Sequence, residues 1–483
     1  MSAKTDSKTL EELIVDAKRS GLSDKEIGEK FNVSFNFIEK AITKLTGVNI
    51  STLDRQKKSK SFAPKNFKLE EATVWSFKSR GNWATHTGDY RGNWSPYIPR
   101  NAILRYSKEG ESVLDCFCGS GATAIECKLL DRNFIGIDIN PYAIKLATEN
   151  VSFDIPQSLF EELKEPIIDL RVGDARDLAF IKDNSIDLIC AHPPYADIIQ
   201  YTDNVKQDLS FLGIDNFLRD MAKVARENHR VLKDERYCAV LIGDMRKKKH
   251  VVPLGFRLID VYLNNGFVLK ELVIKRQHNC RTTGFWYKNS IKYNFLLLAH
   301  EYMAIFQKSN QTSHRQVIRT VRKEIDELPS RIERNKLETT TVWISRPTEW
   351  YKHAMANLIS RYDGRSYTTI TQYSQLASGN MKHDLIIWDV RSKTSVDWHE
   401  ALQIVGNLEG NGYLAILCED ARCTDGSISP SAISAEKQLS SIPSLKVKEI
   451  IVISIENGQT TNETSNGLVI NHKYLLVYQK LQD

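Results

Sequence analysis

The chain has 483 residues, 41% of them hydrophobic and 26% charged, which at roughly 150 residues per domain predicts about three domains with real cores. That balance excludes a disordered tail, a collagen-like fibre and a disulfide-stapled mini-protein, and a net charge of +6 suits a nucleic-acid partner without establishing one. The 8 cysteines are scattered, with no Cys-x-x-Cys pair and no Cys/His cluster at zinc spacing, so reduced thiols and no metal site are expected. With no run of about 18 apolar residues and no signal-peptide pattern at its start, the chain is expected in the cytoplasm with no membrane partner.

Residues 1–48 read as a small helical unit. Leu10, Leu13, Ile14 and Ala17 fall at helical spacing, and the pattern stops at Gly21. Ser23, with Glu26 three residues later, reads as a capping box opening a helix that carries Ile27 and Phe31. The turn Asn32-Val33-Ser34 leads to a third helix bearing Phe37, Ile38, Ala41 and Ile42. The segment from Asp24 to Ser34 resembles a helix-turn-helix, whose last helix would enter a DNA groove; a docking module for another protein is the other reading. Residues 49–74 follow as a linker, with Arg55, Lys57, Lys58, Lys60, Lys65 and Lys68 and no acid between them. A solvated tether is expected there, with phosphate contact as the alternative.

From 75 to 308 apolar strands alternate with helices, the pattern of a doubly wound α/β sheet. Strands are predicted over Ser112–Asp115, Asn133–Asp138, Asp187–Ala191, Tyr237–Gly243, Val268–Ile274 and within Phe295–Phe306. Helices are predicted over Thr123–Leu130, Tyr142–Asn150 and Phe217–Val231. Residues 309–345, rich in Arg, Lys and Glu, read as a helical connector. Beyond it, over 346–483, the chain repeats itself. His300-Glu-Tyr-Met-Ala-Ile-Phe-Gln-Lys308 matches His472-Lys-Tyr-Leu-Leu-Val-Tyr-Gln-Lys480, Tyr237–Arg246 matches Tyr413–Arg422, and Asp187-Leu-Ile-Cys190 matches Asp384-Leu-Ile-Ile387. The order is the same in both copies.

Four motifs carry chemistry. A strand ends at Asp115, and Cys116-Phe117-Cys118-Gly119-Ser120-Gly121 turns into a helix near Thr123. Glycines serve where backbone takes positive φ or approaches a ligand, and this turn lies at a strand's carboxyl end, where open α/β sheets bind ligands. Asp138 closes the next strand, placed as an acid that binds ribose hydroxyls. Asp174, after a strand ending near Val172, would hold an adenine amino group or cap its own loop. The fourth motif is His192-Pro193-Pro194-Tyr195. Two prolines hold the chain stiff with their carbonyls exposed, and an aromatic after them can stack on a flat base. An exocyclic amino group is a poor nucleophile because its lone pair is delocalised into the ring. Acceptors at position 192 and the Pro193 carbonyl would grip its hydrogens so that it pyramidalises toward a methyl donor, while Tyr195 stacks the extruded base.

Together these motifs resemble the S-adenosylmethionine-dependent amino-methyltransferases of DNA, which make N6-methyladenine or N4-methylcytosine. Residues 115–123 look like the family's Asp-Pro-Phe-x-Gly-Ser-Gly-Thr motif, 136–140 like its Gly-x-Asp-x-Asn motif, and 192–195 like its (Asp/Asn/Ser)-Pro-Pro-Tyr motif. Ser95-Pro-Tyr-Ile-Pro-Arg-Asn101 is similar to its extra cofactor-contacting segment. The resemblance covers residues 75–308 and implies a catalytic domain that binds S-adenosyl-L-methionine. Asp115, Phe117, Gly119 and Gly121 would line the methionine end, Asp138 the ribose and Asp174 the adenine, with Ser120, Asn140 and Asn101 as further cofactor contacts. His192, Pro193, Pro194 and Tyr195 would hold the base. His192 and Cys116 depart from the family pattern. A neutral imidazole still accepts one hydrogen bond, but it titrates near pH ~6.5, so activity would fall in acid.

The fold class expected is a Rossmann-like methyltransferase sheet with an N-terminal helix-turn-helix unit and a degenerate second methyltransferase-like domain. The second copy offers Asp389-Val-Arg-Ser against His192-Pro-Pro-Tyr and has no Gly-Ser-Gly loop, so it is read as non-catalytic and as a candidate for holding DNA. Arg246-Lys-Lys-Lys-His250 and Lys275-Arg276-Gln-His278 are read as phosphate contacts or as solvated faces. Trp83, His86, Tyr90, Arg91 and Trp94 are read as a loop for base or backbone contact, or as simple anchors. The resulting expectation is a site-specific methyltransferase acting on double-stranded DNA with the target base flipped. Adenine N6 is preferred over cytosine N4, as in restriction-modification or epigenetic marking. Any cognate endonuclease is a separate protein, and the oligomeric state stays open. The rival readings are an RNA amino-methyltransferase and a DNA-binding pseudo-enzyme.

Overall fold

The computed structural model describes residues 8–20, 22, 24–33, 37–38, 41–42, 61–90, 92–155, 165–198, 201–202, 205, 207–278, 283–309, 331–333, 336–362, 366–376, 381–393, 395–456 and 467–482. These fall into two compact units, residues 1–68 with 80–239 and residues 69–79 with 240–483. Ser23, Ser34, Arg91, the basic residues Arg55, Lys57, Lys58 and Lys60, and connector residues 310–330 lie outside the described residues.

In the first unit, the helices Leu10–Arg19 and Asp24–Phe31 share a core of Ile14, Val15, Ala17 and Ile27 with Ile38, Ala41 and Ile42 from the third predicted helix. Leu10 and Leu13, expected in that core, are 43% and 40% exposed, because the buried face of the first helix centres on Ile14 and Ala17. Thr9 caps that helix: its hydroxyl accepts the Glu12 N–H, and the Glu12 carboxylate accepts the Thr9 N–H. The end of the expected tether is docked rather than free. Phe62 packs against Phe153, and Phe67 stacks on Tyr97 with ring centroids 6.4 Å apart.

Strand β1 (Val74–Ser76) belongs to the second unit. The sheet of the first unit consists of β2 (Ser112–Asp115), β3 (Asn133–Asp138), β4 (Ile168–Val172) and β5 (Ile186–Ala191), all parallel, in the order β5-β2-β3-β4. The chain therefore leaves β2 toward β3 on one side and returns to β5 on the other. This switch point opens a crevice at the strands' carboxyl ends. Between the strands, Asn140 caps the helix Pro141–Val151, and the helix Ile214–Val231 buries Phe217, Met221, Val224, Ala225 and Val231 along one face. Strand β6 (Leu232–Gly243) carries the chain from the first unit into the second.

After β6 the second unit continues with a hairpin, β7 (Met245–Lys247) and β8 (His250–Val252), followed by β9 (Phe267–Arg276) and β10 (His300–Lys308). β1 runs parallel to β9, and β9 antiparallel to β10. Then come β11 (Val342–Ser345), β12 (Tyr367–Ile370), β13 (His383–Asp389), β14 (Leu408–Cys418), the short hairpin β15 (Ala421–Arg422) and β16 (Ile428–Ser429), β17 (Leu445–Ile455) and β18 (His472–Lys480). Their main sheet has the order β11-β17-β18-β14-β13-β12, with β18 antiparallel to both neighbours. β11 is a strand at the end of the segment expected to be a helical connector; its Trp343 is fully buried, in the core that the second sheet builds.

The internal repeat is visible in detail. β1-β9-β10 and β11-β17-β18 have the same pairing pattern, and the copies exchange contacts crosswise. Thr73, before β1, bonds His472 of β18 (2.7 Å), and Thr341, before β11, bonds His300 of β10 (2.9 Å). Each histidine then meets the tyrosine two residues on, Tyr474 or Tyr302, at 2.9 Å. Burial pushes His300 down to about 4 and His472 to about 3, so both rings are neutral. The Arg246 guanidinium donates to Glu449 and to the Leu296 carbonyl, while that of Arg422 donates to Glu271 and to the Leu468 carbonyl. Arg246 is thus held inside the fold, and Lys275 is paired with Glu301; neither is a solvated or phosphate-facing cation.

Candidate active-site cleft

Side chains at the carboxyl ends of β2 to β5 surround a cleft with about 720 Å³ of space, open to solvent. The turn after β2 forms its floor. The Asp115 carboxylate accepts the Phe117 N–H (3.0 Å) and the Thr123 hydroxyl (2.5 Å), so this acid shapes the turn from beneath and does not line the cleft. Burial lifts it to about 7 against those two hydrogen bonds. Gly119 and Gly121 take φ of +51° and +82°. A Cβ on Gly119 would press Tyr90 at 3.1 Å, and one on Gly121 would press Ala147 at 3.0 Å. Phe117 and Gly119 face the cleft. Ser120 sits behind it and accepts from the Asn93 amide.

Asp138, at the end of β3, faces the cleft and accepts the N–H groups of Gly119 and Asn140, both at 2.9 Å. Burial raises it to about 6, partly offset by those donors. A buried carboxylate with spare lone pairs suits hydroxyl donors. Asn140 is not on the lining: its carbonyl oxygen caps the following helix at the Tyr142 N–H, and its amide donates to the Tyr201 carbonyl. Asp174 does line the cleft, yet its carboxylate accepts the Arg176 N–H and guanidinium, so it caps its own loop as well. Asn101 is fully buried in the helix Tyr97–Tyr106, donates to the Tyr97 carbonyl and lies off the lining.

After β5, His192 and Pro194 line the cleft, while Pro193 and Tyr195 do not. His192 Nε2 lies 3.1 Å from the Tyr195 hydroxyl, and the His192 ring stacks on Trp94, centroids 5.6 Å apart and planes 15° off parallel. The imidazole is thereby fixed in plane. Trp94 belongs to a loop nailed down by a buried carboxylate: Glu126 accepts from Trp83 Nε1 (2.6 Å) and Arg100 (2.8 Å) and contacts His86 Nε2 (2.7 Å). Trp83 and His86 are anchors, and Tyr90 and Trp94 are the two aromatics of that loop that reach the cleft. Tyr201 and Asp208 also line the cleft and were not among the expected site residues. Asp208 caps a single turn through the Ser210 N–H, and that Asp-Leu-Ser turn was the available cue.

Seven cysteines, among them Cys116 and Cys118 in the turn, are buried and unbridged. Among the described residues no group of His, Cys, Asp or Glu could hold a metal, and no helix is long and apolar enough to cross a membrane.

The chain matches the DNA methylase family of the N6/N4 type over residues 16–149 and 186–384, more than half its length, and a general methyltransferase domain over 114–240. It is 35% identical over 105 residues to the type II methyltransferase M.BglI of Bacillus subtilis, covering 21% of this chain and 27% of that protein. It is 33% identical over 108 residues to the tRNA (guanine(10)-N2)-dimethyltransferase of Methanothermobacter thermautotrophicus, covering 22% and 29%. The matched stretch thus spans less than a third of either relative. Among solved structures it is similar to a SAM-dependent methyltransferase of Methanosarcina mazei, 17% identical with a TM-score of 0.30, covering 43% of this chain and 97% of that one.

Proposed function

The chain belongs to the N6/N4 DNA methylase family, and from that premise we propose that it methylates an exocyclic amino group of a flipped base in double-stranded DNA, adenine N6 in preference to cytosine N4. The observation that carries this reading is the meeting, in one cleft, of the positive-φ glycine turn, the buried Asp138, and His192 with Pro194 after β5. The cleft fits a nucleoside cofactor: the Gly119 turn brings backbone without a side chain to its lining, and Asp138 presents an acceptor for ribose hydroxyls. S-adenosylmethionine bound there supplies an electrophilic methyl group on its sulfonium.

The protein's own residues do the rest. Phe117 and Gly119 bound the methionine end, Asp138 receives the ribose, and Asp174 with its Arg176 partner borders the adenine. His192 and the Pro193 carbonyl accept the target N–H groups, which localises the nitrogen lone pair. Tyr195, off the cleft lining, orients His192 through its hydroxyl, and stacking on the base requires its ring to turn into the cleft. Trp94 holds the imidazole plane. The helical N-terminus and the second copy are assigned to target choice, any endonuclease to a separate protein, and the site of action to the cytoplasm.

The test is nucleoside mass spectrometry after incubating the protein with labelled S-adenosylmethionine and either unmethylated DNA or total RNA. Label in N6-methyladenine or N4-methylcytosine from DNA, lost in His192→Ala and Tyr195→Ala, supports the reading. Label only in RNA would replace it with the RNA reading that similarity to the tRNA dimethyltransferase favours. Cofactor binding without any transfer would favour the pseudo-enzyme.

A further inference from the structure

The hairpins β7–β8 and β15–β16 are counterparts in the internal repeat. The first strand of each carries an arginine of the crosswise clamp, Arg246 or Arg422. Each arginine also donates to a carbonyl on the far side of its own hairpin, Lys249 or Gly426, and to one on a strand of the other copy, Lys448 or Lys270. The structural task is the same, but the tips differ. One carries Lys247-Lys248-Lys249, all exposed; the other carries Cys423-Thr424-Asp425-Gly426. The clamp therefore does not require lysines.

The backbone works against them as well. Lys248 and Lys249 sit at φ of +47° and +68°, the left-handed pair of a two-residue hairpin turn. Asn-Gly suits such a turn, and lysine is disfavoured there. In the counterpart hairpin the positive φ falls on Gly426.

The surroundings add positive charge. Lys249 and Lys292 both lie over the Tyr293 ring, at 5.0 and 5.1 Å. Exposed Lys288, Trp286 and Tyr287 occupy the same helix, Thr283–Lys292, which contains no acid. Lys446 and Lys448 act on His250, which burial and these two cations push below its ordinary value. Glu449, which follows Lys448, is fully buried and committed to Arg246.

We infer that the Lys248–Lys249 tip, with Lys292 held beside it by Tyr293, is a docking surface for the phosphate backbone of the DNA substrate. The inference rests on the DNA reading above. Exposed lysines held at an unfavourable turn among further cations gain from releasing the counterions of a polyanion.

The experiment uses the full chain with Lys248→Asn/Lys249→Gly, a replacement that suits the turn and so keeps the hairpin folded. Thermal midpoint and S-adenosylhomocysteine affinity should stay at wild-type values or above. Duplex affinity should fall on the order of 10-fold near 0.2 M salt, and the slope of log K against log salt should shrink by about 2, one contact for each lysine. An unchanged slope overturns the inference, as does a hairpin-dependent slope for RNA but not for duplex DNA. Failure of the wild-type chain to methylate DNA would instead strike the activity reading, so the two failures are distinguishable.

Discussion

The two copies of the repeat end their equivalent strands in opposite ways. β5 delivers His192 to an open cleft, whereas β13 delivers Asp389 to Arg391, which binds its carboxylate and lies over Trp350 at 5.1 Å. β12 is the edge of its sheet, while its counterpart β2 continues to β3 and β4, the strands that supply Asp138 and the Asp174 loop. What both copies keep is scaffolding. The Ser112 N–H donates to Asp187 and the Ser366 N–H to Asp384, each at 3.0 Å, and the Thr–His–Tyr and Arg–Glu arrangements are matched pair by pair. The comparison separates residues that hold the sheets together from those that do chemistry, because only the former occur twice.

The largest expected effect tests that separation directly. His192→Ala or Tyr195→Ala should slow methyl transfer by at least about 100-fold, the scale of losing a group that acts on charge at the reacting centre. Asp389→Ala should leave the rate within about twofold. Single-turnover transfer of labelled methyl measures both, and a comparable loss at Asp389 would end the view of the second copy as non-catalytic.

Next in size are the clamps. Arg246→Met strands the fully buried Glu449, and Arg422→Met strands the 6%-exposed side chain of Glu271. Each should cost about 3–5 kcal/mol in denaturant unfolding, because the cost is that of a buried charge without its partner. Replacing both members, as in Arg422→Met/Glu271→Met, should recover most of it. Strongly unequal costs for the two arginines would show that the repeat's symmetry is only geometric.

Acid should move stability and activity in opposite directions. Burial holds Asp115, Asp244 and Asp420 at about 7 and Glu436 at about 7, above the ~4 expected in an unfolded chain. As pH falls from 8 toward 5, the folded state takes up protons that the unfolded state does not. Stability from these groups therefore rises on acidification, and the thermal midpoint should be a few degrees higher at pH 6 than at pH 8. Cofactor affinity should fall below about pH 6, as Asp138 gains a proton and loses an acceptor. A midpoint that falls together with affinity would contradict the burial of these acids.

Much of this was legible in advance. The strands Ser112–Asp115 and Asn133–Asp138 lie where apolar runs and turn residues put them, the run expected over Phe295–Phe306 forms its strand from His300 to Lys308, and the repeat partner His472–Lys480 is a strand as well. Local chemistry also marked Gly119, Asp138 and His192. What the sequence concealed was which polar residues support the cleft and which line it. Asp115, Asn140 and Asn101 sit in the motifs, yet they spend their hydrogen bonds on the Phe117 N–H, the Tyr142 N–H and the Tyr97 carbonyl. Spacing along a chain fixes proximity to a turn; it does not fix which way a short polar side chain points. Tyr201 and Asp208 were hidden for the complementary reason, since they reach the cleft through irregular backbone that has no period to read.

The smallest expected change concerns the residue that sets this chain apart from the family's acceptor motif. His192→Asn keeps an acceptor at that position and does not titrate, so maximal transfer should remain within about tenfold of wild type. The informative readout is the pH profile. In the wild type two groups contribute to the acid limb: an imidazole that stops accepting once protonated, ordinarily near pH ~6.5, and Asp138 near about 6. The variant should keep the Asp138 contribution, seen as loss of cofactor affinity, while kcat at saturating cofactor becomes flat through pH 6. If kcat still falls along the wild-type curve, His192 does not accept the target N–H, and the Pro193 carbonyl would carry the grip alone. If transfer falls by more than about 100-fold at every pH, the imidazole's fit against Trp94 and Tyr195, rather than its acceptor nitrogen, is what the site requires.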